Sequence, residues 1–419
     1  MGSWACGVKK TAHAAEQDGW NRRVEREKRD CRHAPFRRGG ASPYDVGHTA
    51  SELGKLADFL KSLDGETRVV MEYTGNYYLP IAHSLHEAGI FVSVAHAKLL
   101  HGYGNNTIRK VKTDKADAVK IANYGIDRWL SLTEYIPEED IRKLLKTYNR
   151  QYAQYTKIST MLKNNLIALL DQTFPGVNTL FTSPPRKSDG HEKWFDFAKE
   201  FWHCECICCL SEKRFVERYR KWCKNVGYYF SQSKAENIYI ESCGHINTLP
   251  KNEYSERLIT QAISQLTAIA ESRFAVLAEL KRLATLLPEY DTVLAMGGVG
   301  EVFAPQLIAE IGDVCRFARK GSLVAFAGLD APPYQSGAFE SHNRHISKKG
   351  SPHLRRVLFQ VCDALLKHSP TDDPVYQFLD RKRNEGKHYY CYMTAGSAKF
   401  LRIYYARVNE LFDTMESTE

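Results

Sequence analysis

Apolar and aromatic side chains recur at spacings of three and four from Ile141 through Leu144, Leu145, Tyr148, Tyr152, Tyr155, Ile158, Leu162, Leu166 and Leu169. That period predicts one long amphipathic helix, ended by Phe174-Pro175-Gly176. A second such series runs through Leu258, Ile259, Ile263, Leu266, Ile269, Phe274, Leu277, Leu280 and Leu283. A stripe of that length must be covered. The two helices are therefore expected to pack on each other or on a second subunit, as a coiled-coil arm. Residues 136–287 form this helical middle, and the aromatic, Cys-rich stretch 177–250 reads as a helical insertion within it.

The flanking segments have other patterns. In residues 42–135, HTASELGKLADFLKSL has helical spacing, TRVVMEYTG is a short β-branched strand, and YYLPIAHSLHEAGI followed by FVSVAHA repeats helix then strand. Alternation of this kind predicts an α/β unit with a mainly parallel sheet covered by helices. Residues 288–419 read as a compact, mainly α C-terminal domain. It opens with a helix, the turn Met296-Gly297-Gly298-Val299-Gly300, and another helix. In a helix-hairpin-helix such glycines let backbone N–H groups approach a phosphate, and in other proteins they simply join packed helices. Residues 1–41 are densely charged, without strand alternation, and read as disordered or foreign to the fold.

The 419-residue chain carries a net charge of +9 and 43% hydrophobic residues, enough for a sizeable core and a bias toward polyanionic partners. No apolar run is long enough to cross a bilayer, and the N-terminus lacks the apolar centre of a secretory signal, so a cytoplasmic protein with no membrane partner is expected. Eleven cysteines in such a chain argue against a disulfide framework. Cys204, Cys206, Cys208 and Cys209 crowd into one turn rather than two knuckles, which favours packed thiols over a zinc site.

Candidate chemistry comes from acids and one hydroxyl. Glu72 ends a strand, where open α/β sheets place their ligand crevice. Asp114 and Asp117 are three apart at a helix start, so both can face one way, and Mg2+ with its oxygen ligands would offset their repulsion. Acids at a helix N-terminus also simply complement its dipole. Arg109 and Lys112 lie just upstream. Farther on, FAGLDAPPYQSGAFESHNRHISKKGSPHLRR places Ser336 in a Gln-Ser-Gly turn before a run of cations: Arg344, His345, Lys348, Lys349, Arg355 and Arg356. A small nucleophile among cations suits chemistry on a phosphodiester, with the cations holding the backbone.

Three ordered motifs, VVMEYTGNYYLPIAHSL, VKTDKADAVKIANYG and GVGEVFAPQLIAEIGDVCRFARKGSLVAFAGLDAPPYQSG with HISKKGSPHLRRVLF, closely resemble the DEDD transposases of bacterial and archaeal insertion sequences. This is the IS-one-ten type, related to Piv-type DNA invertases. The likeness covers roughly residues 42–170 and 255–370. It implies a RuvC-like (RNase H-like) N-terminal domain, a helical coiled-coil segment and a C-terminal transposase domain whose half-sites combine. It further implies Mg2+ held by the acids, a serine that forms a covalent phosphoserine link with DNA, a structured guide RNA, and a homo-dimer or tetramer. On this chain Glu72, Asp114 and Asp117 match the second to fourth acids and Ser336 the nucleophile.

The first acid has no match. The family opens on a Gly-Ile/Val-Asp-Val-Ser strand, whereas Asp18 and Asp30 lie in no apolar run. A frameshift or wrong start upstream of about residue 42 would explain the loss, and an impaired or inactive enzyme is the expected consequence. Two other outcomes stay open: a catalytically dead nucleic-acid-binding remnant, and a metal-dependent junction nuclease that uses water in place of Ser336.

Overall fold

The computed structural model describes residues 5–10, 46–103, 113–186, 190, 192–333, 335–336, 339–340 and 344–417, with backbone alone at 5–10, 114–115, 336 and 339–340. The chain divides into two compact units, residues 1–138 and 139–419.

The first unit begins with β1 (Ala5–Lys10), followed by α1 (Ala50–Lys61), β2 (Glu66–Glu72), α2 (Leu79–Glu87), β3 (Phe91–Ala95), α3 (Ala97–Tyr103) and α4 (Asp114–Asp127). Thr49 caps α1, its hydroxyl accepting from the Glu52 N–H at 3.3 Å. β2 and β3 pair in parallel, Glu72 opposite Ala95, with α2 as the crossover. Strand parity then sorts the core. Val69 and Met71 face α1 and α2 with Leu56, Leu60 and Leu85. Val70 faces the other way, with Ala95, Leu100 and Ile121. Three consecutive buried residues in β2 are what a strand covered on both sides requires.

Two expectations are corrected here. The sheet is mixed: its order is β1-β2-β3 and β1 runs antiparallel to β2. The segment expected to hold no strand supplies β1. Lys9 and Lys10 opposite Thr67 and Glu66 use main-chain pairing, which needs no apolar alternation. Residues 11–45, with Asp18 and Asp30, lie outside the described residues.

The second unit is built on α5 (Asp140–Leu170) and, after the insertion, α10 (Glu253–Ala284). These long helices pack on each other. Leu145 shares a core with Leu280 and Leu283, and Leu166 shares another with Ile259 and Leu266, so the pair runs antiparallel. Between them stand α6 (Lys193–Glu200), α7 (Glu205–Cys208), α8 (Glu212–Val226) and α9 (Gln232–Gly244). The insertion is thus helical. Its core is aromatic: Phe197 stacks on Phe201 with centroids 4.7 Å apart, and Tyr219 stacks on Trp222 at 5.6 Å.

The far end of the spine continues into α11 (Tyr290–Leu294), α12 (Phe303–Ile311), α13 (Lys320–Phe326), the two-residue strands β4 (Gln335–Ser336) and β5 (Phe339–Glu340), α14 (Pro352–His368), α15 (Pro374–Asn384) and α16 (Tyr389–Glu416). One hydrophobic core spans both sides of residue 288, where a domain boundary was expected. Leu280, Leu283 and Ala284 belong to the same core as Leu307, Leu358 and Phe400, so spine and C-terminal helices are one body. Arg142, in the first turn of α5, reinforces this. Its guanidinium donates to both carboxylate oxygens of Glu289, with side chains only 7% and 2% exposed. No described helix is long and apolar enough to cross a membrane.

Candidate nucleic-acid site

Glu72 and Asp117 lie on the layer between β2 and α4. Glu72 has the parity of Val70, and Asp117 is one helical turn before Ile121; Val70 and Ile121 pack in one cluster. Glu72 and Asp117 are both half-buried. Asp114 is the first residue of α4, and its side chain lies outside the described residues. The cap of this helix is Thr113, whose hydroxyl accepts from the Ala116 N–H at 3.2 Å, so neither aspartate serves as the cap. The Glu72 and Asp117 carboxylates offer oxygen atoms, the donor chemistry that suits Mg2+ or a similar hard cation. Among the described residues no group of three or more His, Cys, Asp or Glu side chains is arranged around a metal position. Arg109 and Lys112 fall outside the described residues.

In the second unit Ser336 ends β4 and pairs antiparallel with Phe339, while Gln335 pairs with Glu340. What the sequence did not reveal is how this hairpin is anchored. Its two flanks are laced together. The Ser347 N–H donates to the Asp330 carbonyl at 2.8 Å, the Lys348 N–H to the Gly328 carbonyl at 3.1 Å, and the Ser351 N–H to the Phe326 carbonyl at 2.8 Å. The Ser347 hydroxyl also donates to the Asp330 carboxylate. The flanks approach so closely that a Cβ on Gly350 would collide with the Phe326 carbonyl oxygen. Lys348 adopts φ 52°, a left-handed conformation uncommon outside glycine, at this crossing.

Arg355, expected to hold a DNA backbone, also has an internal role: Nη1 donates to the carbonyls of Ala327 at 2.8 Å and Gly350 at 3.2 Å, closing the same crossing. Arg344, His345, Lys348, Lys349 and Arg356 are exposed. Gly298 has φ +71°, and a Cβ there would stand 2.7 Å from Leu365 Cγ and 2.8 Å from the Val361 carbonyl oxygen, so this glycine lets the turn press on α14. Gly300 has open space around its Cα.

Glu310 is the polar centre that the sequence reading missed. It is 1% exposed and accepts from Asn149 Nδ2 at 2.8 Å, Arg150 Nη2 at 2.8 Å and Ser351 Oγ at 3.0 Å. Ser351 in turn caps α14, accepting from the Leu354 N–H at 3.2 Å. One carboxylate thereby ties α5, α12 and the start of α14 together. A lone acid inside the apolar helix FAPQLIAEI was the available signal. Near it, burial first and then the Arg150 charge hold the His353 imidazole below its ordinary range.

Cys204, Cys206, Cys208 and Cys223 of the insertion pack among aromatic and aliphatic side chains, while Cys209 and Cys243 are exposed. Cys204 is buried, its thiol pushed up to about 12 chiefly by desolvation. The Cys208 thiol is likewise raised to about 12 and donates to the Ser242 carbonyl at 3.1 Å.

Comparison with known proteins finds two family matches along the chain. Residues 41–175, which include Glu72, Asp114 and Asp117, match the DEDD transposase profile of the IS110 group. Residues 290–377, which include the glycine turn, Ser336 and the cations after it, match the Transposase IS116/IS110/IS902 family. Together the two matches take in more than half of the chain. An insertion element IS110 uncharacterized 43.6 kDa protein of Streptomyces coelicolor is 25% identical over 283 residues, 66% of this chain and 66% of that protein. A transposase for insertion sequence element IS1111A of Coxiella burnetii is 37% identical over 90 residues, 22% of this chain and 24% of that one. The matched stretches therefore span under two thirds of either relative. Both profiles and both relatives converge on one assignment: the chain belongs to the IS110-type transposase family.

Proposed function

We propose that the protein cuts and rejoins DNA as the transposase of an insertion sequence, with carboxylate chemistry in the first unit and a serine nucleophile, Ser336, in the second. The observation that carries this reading is the Ser336 hairpin, clamped at its base by Asp330, Ser347 and the Gly328–Gly350 crossing and flanked by exposed cations. A rigid base supports in-line attack, because a nucleophile must be held in near-attack geometry.

Glu72, Asp114 and Asp117 would hold Mg2+, which supplies stabilisation of negative charge on the scissile phosphate. Ser336 Oγ attacks phosphorus; an Oγ–P bond forms as one backbone P–O bond breaks, and the serine proton passes to the released oxygen or to solvent. Attack by a hydroxyl strand end reverses the step and frees the serine. The covalent link conserves the ester, so rejoining needs no ATP. Lys348, Lys349 and Arg356 would hold the strand through charge-assisted bonds to its phosphates. A RuvC-like frame for the first unit, a structured guide RNA and a homo-dimer or tetramer are parts of the same proposal.

The test is covalent trapping on DNA carrying the element's ends, with Mg2+ present. The expected result is a protein–DNA adduct that Ser336→Ala abolishes and Glu72→Gln strongly reduces. Cleavage without an adduct, kept in Ser336→Ala and lost in Glu72→Gln, would assign a water-using junction nuclease instead. A specific observation favours one further reading, an impaired remnant: β1, the strand beside β2, contains Cys6, Lys9 and Lys10 but no carboxylate. Binding with neither cleavage nor adduct would establish that reading.

A further inference from the structure

Outside the serine hairpin, cations recur along one face of α5. Lys143, Arg150 and Lys157 are spaced by seven residues, two helical turns or about 10.5 Å, a spacing that drifts by only about 20° per step. Leu145 and Leu166, which point away from this row, are buried, and the buried Ala153 borders it. Lys143 is paired with the exposed Asp140 at 3.1 Å, and Lys157 is exposed.

Arg150 is not a loosely solvated member of this series. Its Nη2 shares Glu310 Oε2 with the hydroxyl of Ser351, the cap of α14. The buried carboxylate thus fixes the guanidinium beside the first turn of α14, where His353 and Arg356 stand. Arg150 keeps 42% of its side chain exposed and has further N–H donors to offer. The lowered imidazole of His353, which responds to Arg150, Lys157 and Arg356, supports the crowding of positive charge at this place.

We infer that Arg150 and Lys157 of α5, with His353 and Arg356 of α14, form a binding surface for the backbone of duplex DNA, and that Glu310 is the positioning residue that aims Arg150. The surface continues from the strap of residues 344–351, which leads from the serine hairpin into α14. That continuity selects the reacting DNA over RNA as the occupant. The inference rests on the proposed function for the identity of the partner, and it gives α5 a role in holding substrate beyond that of a spacer.

The experiment measures the salt dependence of binding of a 30-base-pair DNA duplex to the full chain. Each phosphate contact contributes about 0.9 to the slope of log K against log salt. Arg150→Gln with Lys157→Gln is expected to lower the slope by about 2 and to weaken binding roughly 10- to 100-fold. Lys157→Gln alone, which disturbs no internal bond, is expected to lower it by about 1. Lys213→Gln with Lys221→Gln, two exposed positions on α8, is expected to leave it unchanged. An unaltered slope for Lys157→Gln, an equal drop for the α8 pair, or a larger loss on an RNA duplex of the same length would overturn the inference. Wild-type protein that does not bind the duplex would overturn the proposed function as well. Steep wild-type binding unaffected by the α5 changes would overturn this inference alone.

Discussion

Gly298 and Gly300 stand two residues apart in one turn, and the structure assigns them opposite consequences. Gly298→Ala puts a side chain at φ +71°, which costs an L-residue about 1–2 kcal/mol. The new Cβ would also stand 2.7 Å from Leu365 Cγ and 2.8 Å from the Val361 carbonyl oxygen. The leucine can shift, but the carbonyl belongs to the backbone of α14. Overpacking of this kind costs roughly 1–3 kcal/mol, so the substitution should destabilise the second unit by about 2–5 kcal/mol. Gly300→Ala meets nothing within 4 Å and should change stability by less than about 0.5 kcal/mol. If the turn also lets a phosphate approach its backbone, the Gly300 methyl obstructs that approach and weakens duplex affinity. Urea unfolding followed by far-UV circular dichroism measures the first effect, and duplex titration the second. A wild-type unfolding midpoint for Gly298→Ala would refute the packing argument. Unchanged affinity for Gly300→Ala would remove the turn from the nucleic-acid surface.

Glu289→Ala should cost about 3–5 kcal/mol, because it leaves the buried Arg142 guanidinium with only the exposed Glu139 as an acidic partner; replacing both partners, Arg142→Met with Glu289→Leu, should recover most of that loss in urea unfolding, and a double variant no better than the single would contradict this account. The His353 imidazole is held below its ordinary pKa by burial and by Arg150, Lys157 and Arg356, against the pull of Glu310. Its neutral form stabilises the fold fully above the unfolded value of about 6.5, and that contribution is lost as pH falls from there toward the lower folded value. His353→Gln should flatten the unfolding midpoint across this interval, and identical pH profiles for the two proteins would exclude the assignment.

Glu310 shows why reading a sequence stops short of a site. Within FAPQLIAEI it stands out as a charge in an apolar helix, but its partners Asn149, Arg150 and Ser351 come from segments up to 161 residues away. Arg355 shows the same limit in reverse. It sits in a cationic run that looks like a phosphate clamp, yet its Nη1 donates to the carbonyls of Ala327 and Gly350. Charge density is local and legible, whereas the choice between an internal carbonyl and an external phosphate depends on which backbone is nearby.

Periodicity was enough to place the two long helices, the strand ending in Glu72 and the helix starting at Asp114, because burial of one face imposes its period on the residues that form it. Motif order was enough to identify the transposase family. Tertiary structure alone decided that α5 and α10 pair antiparallel, that they share a core with the C-terminal helices, and that β1 joins the sheet antiparallel. It alone decided, too, that the serine hairpin is clamped at Asp330 and Ser347. Each of these is a contact between residues remote in sequence, and a hydrophobic stripe or an unpaired strand edge specifies that it must be covered without specifying by what.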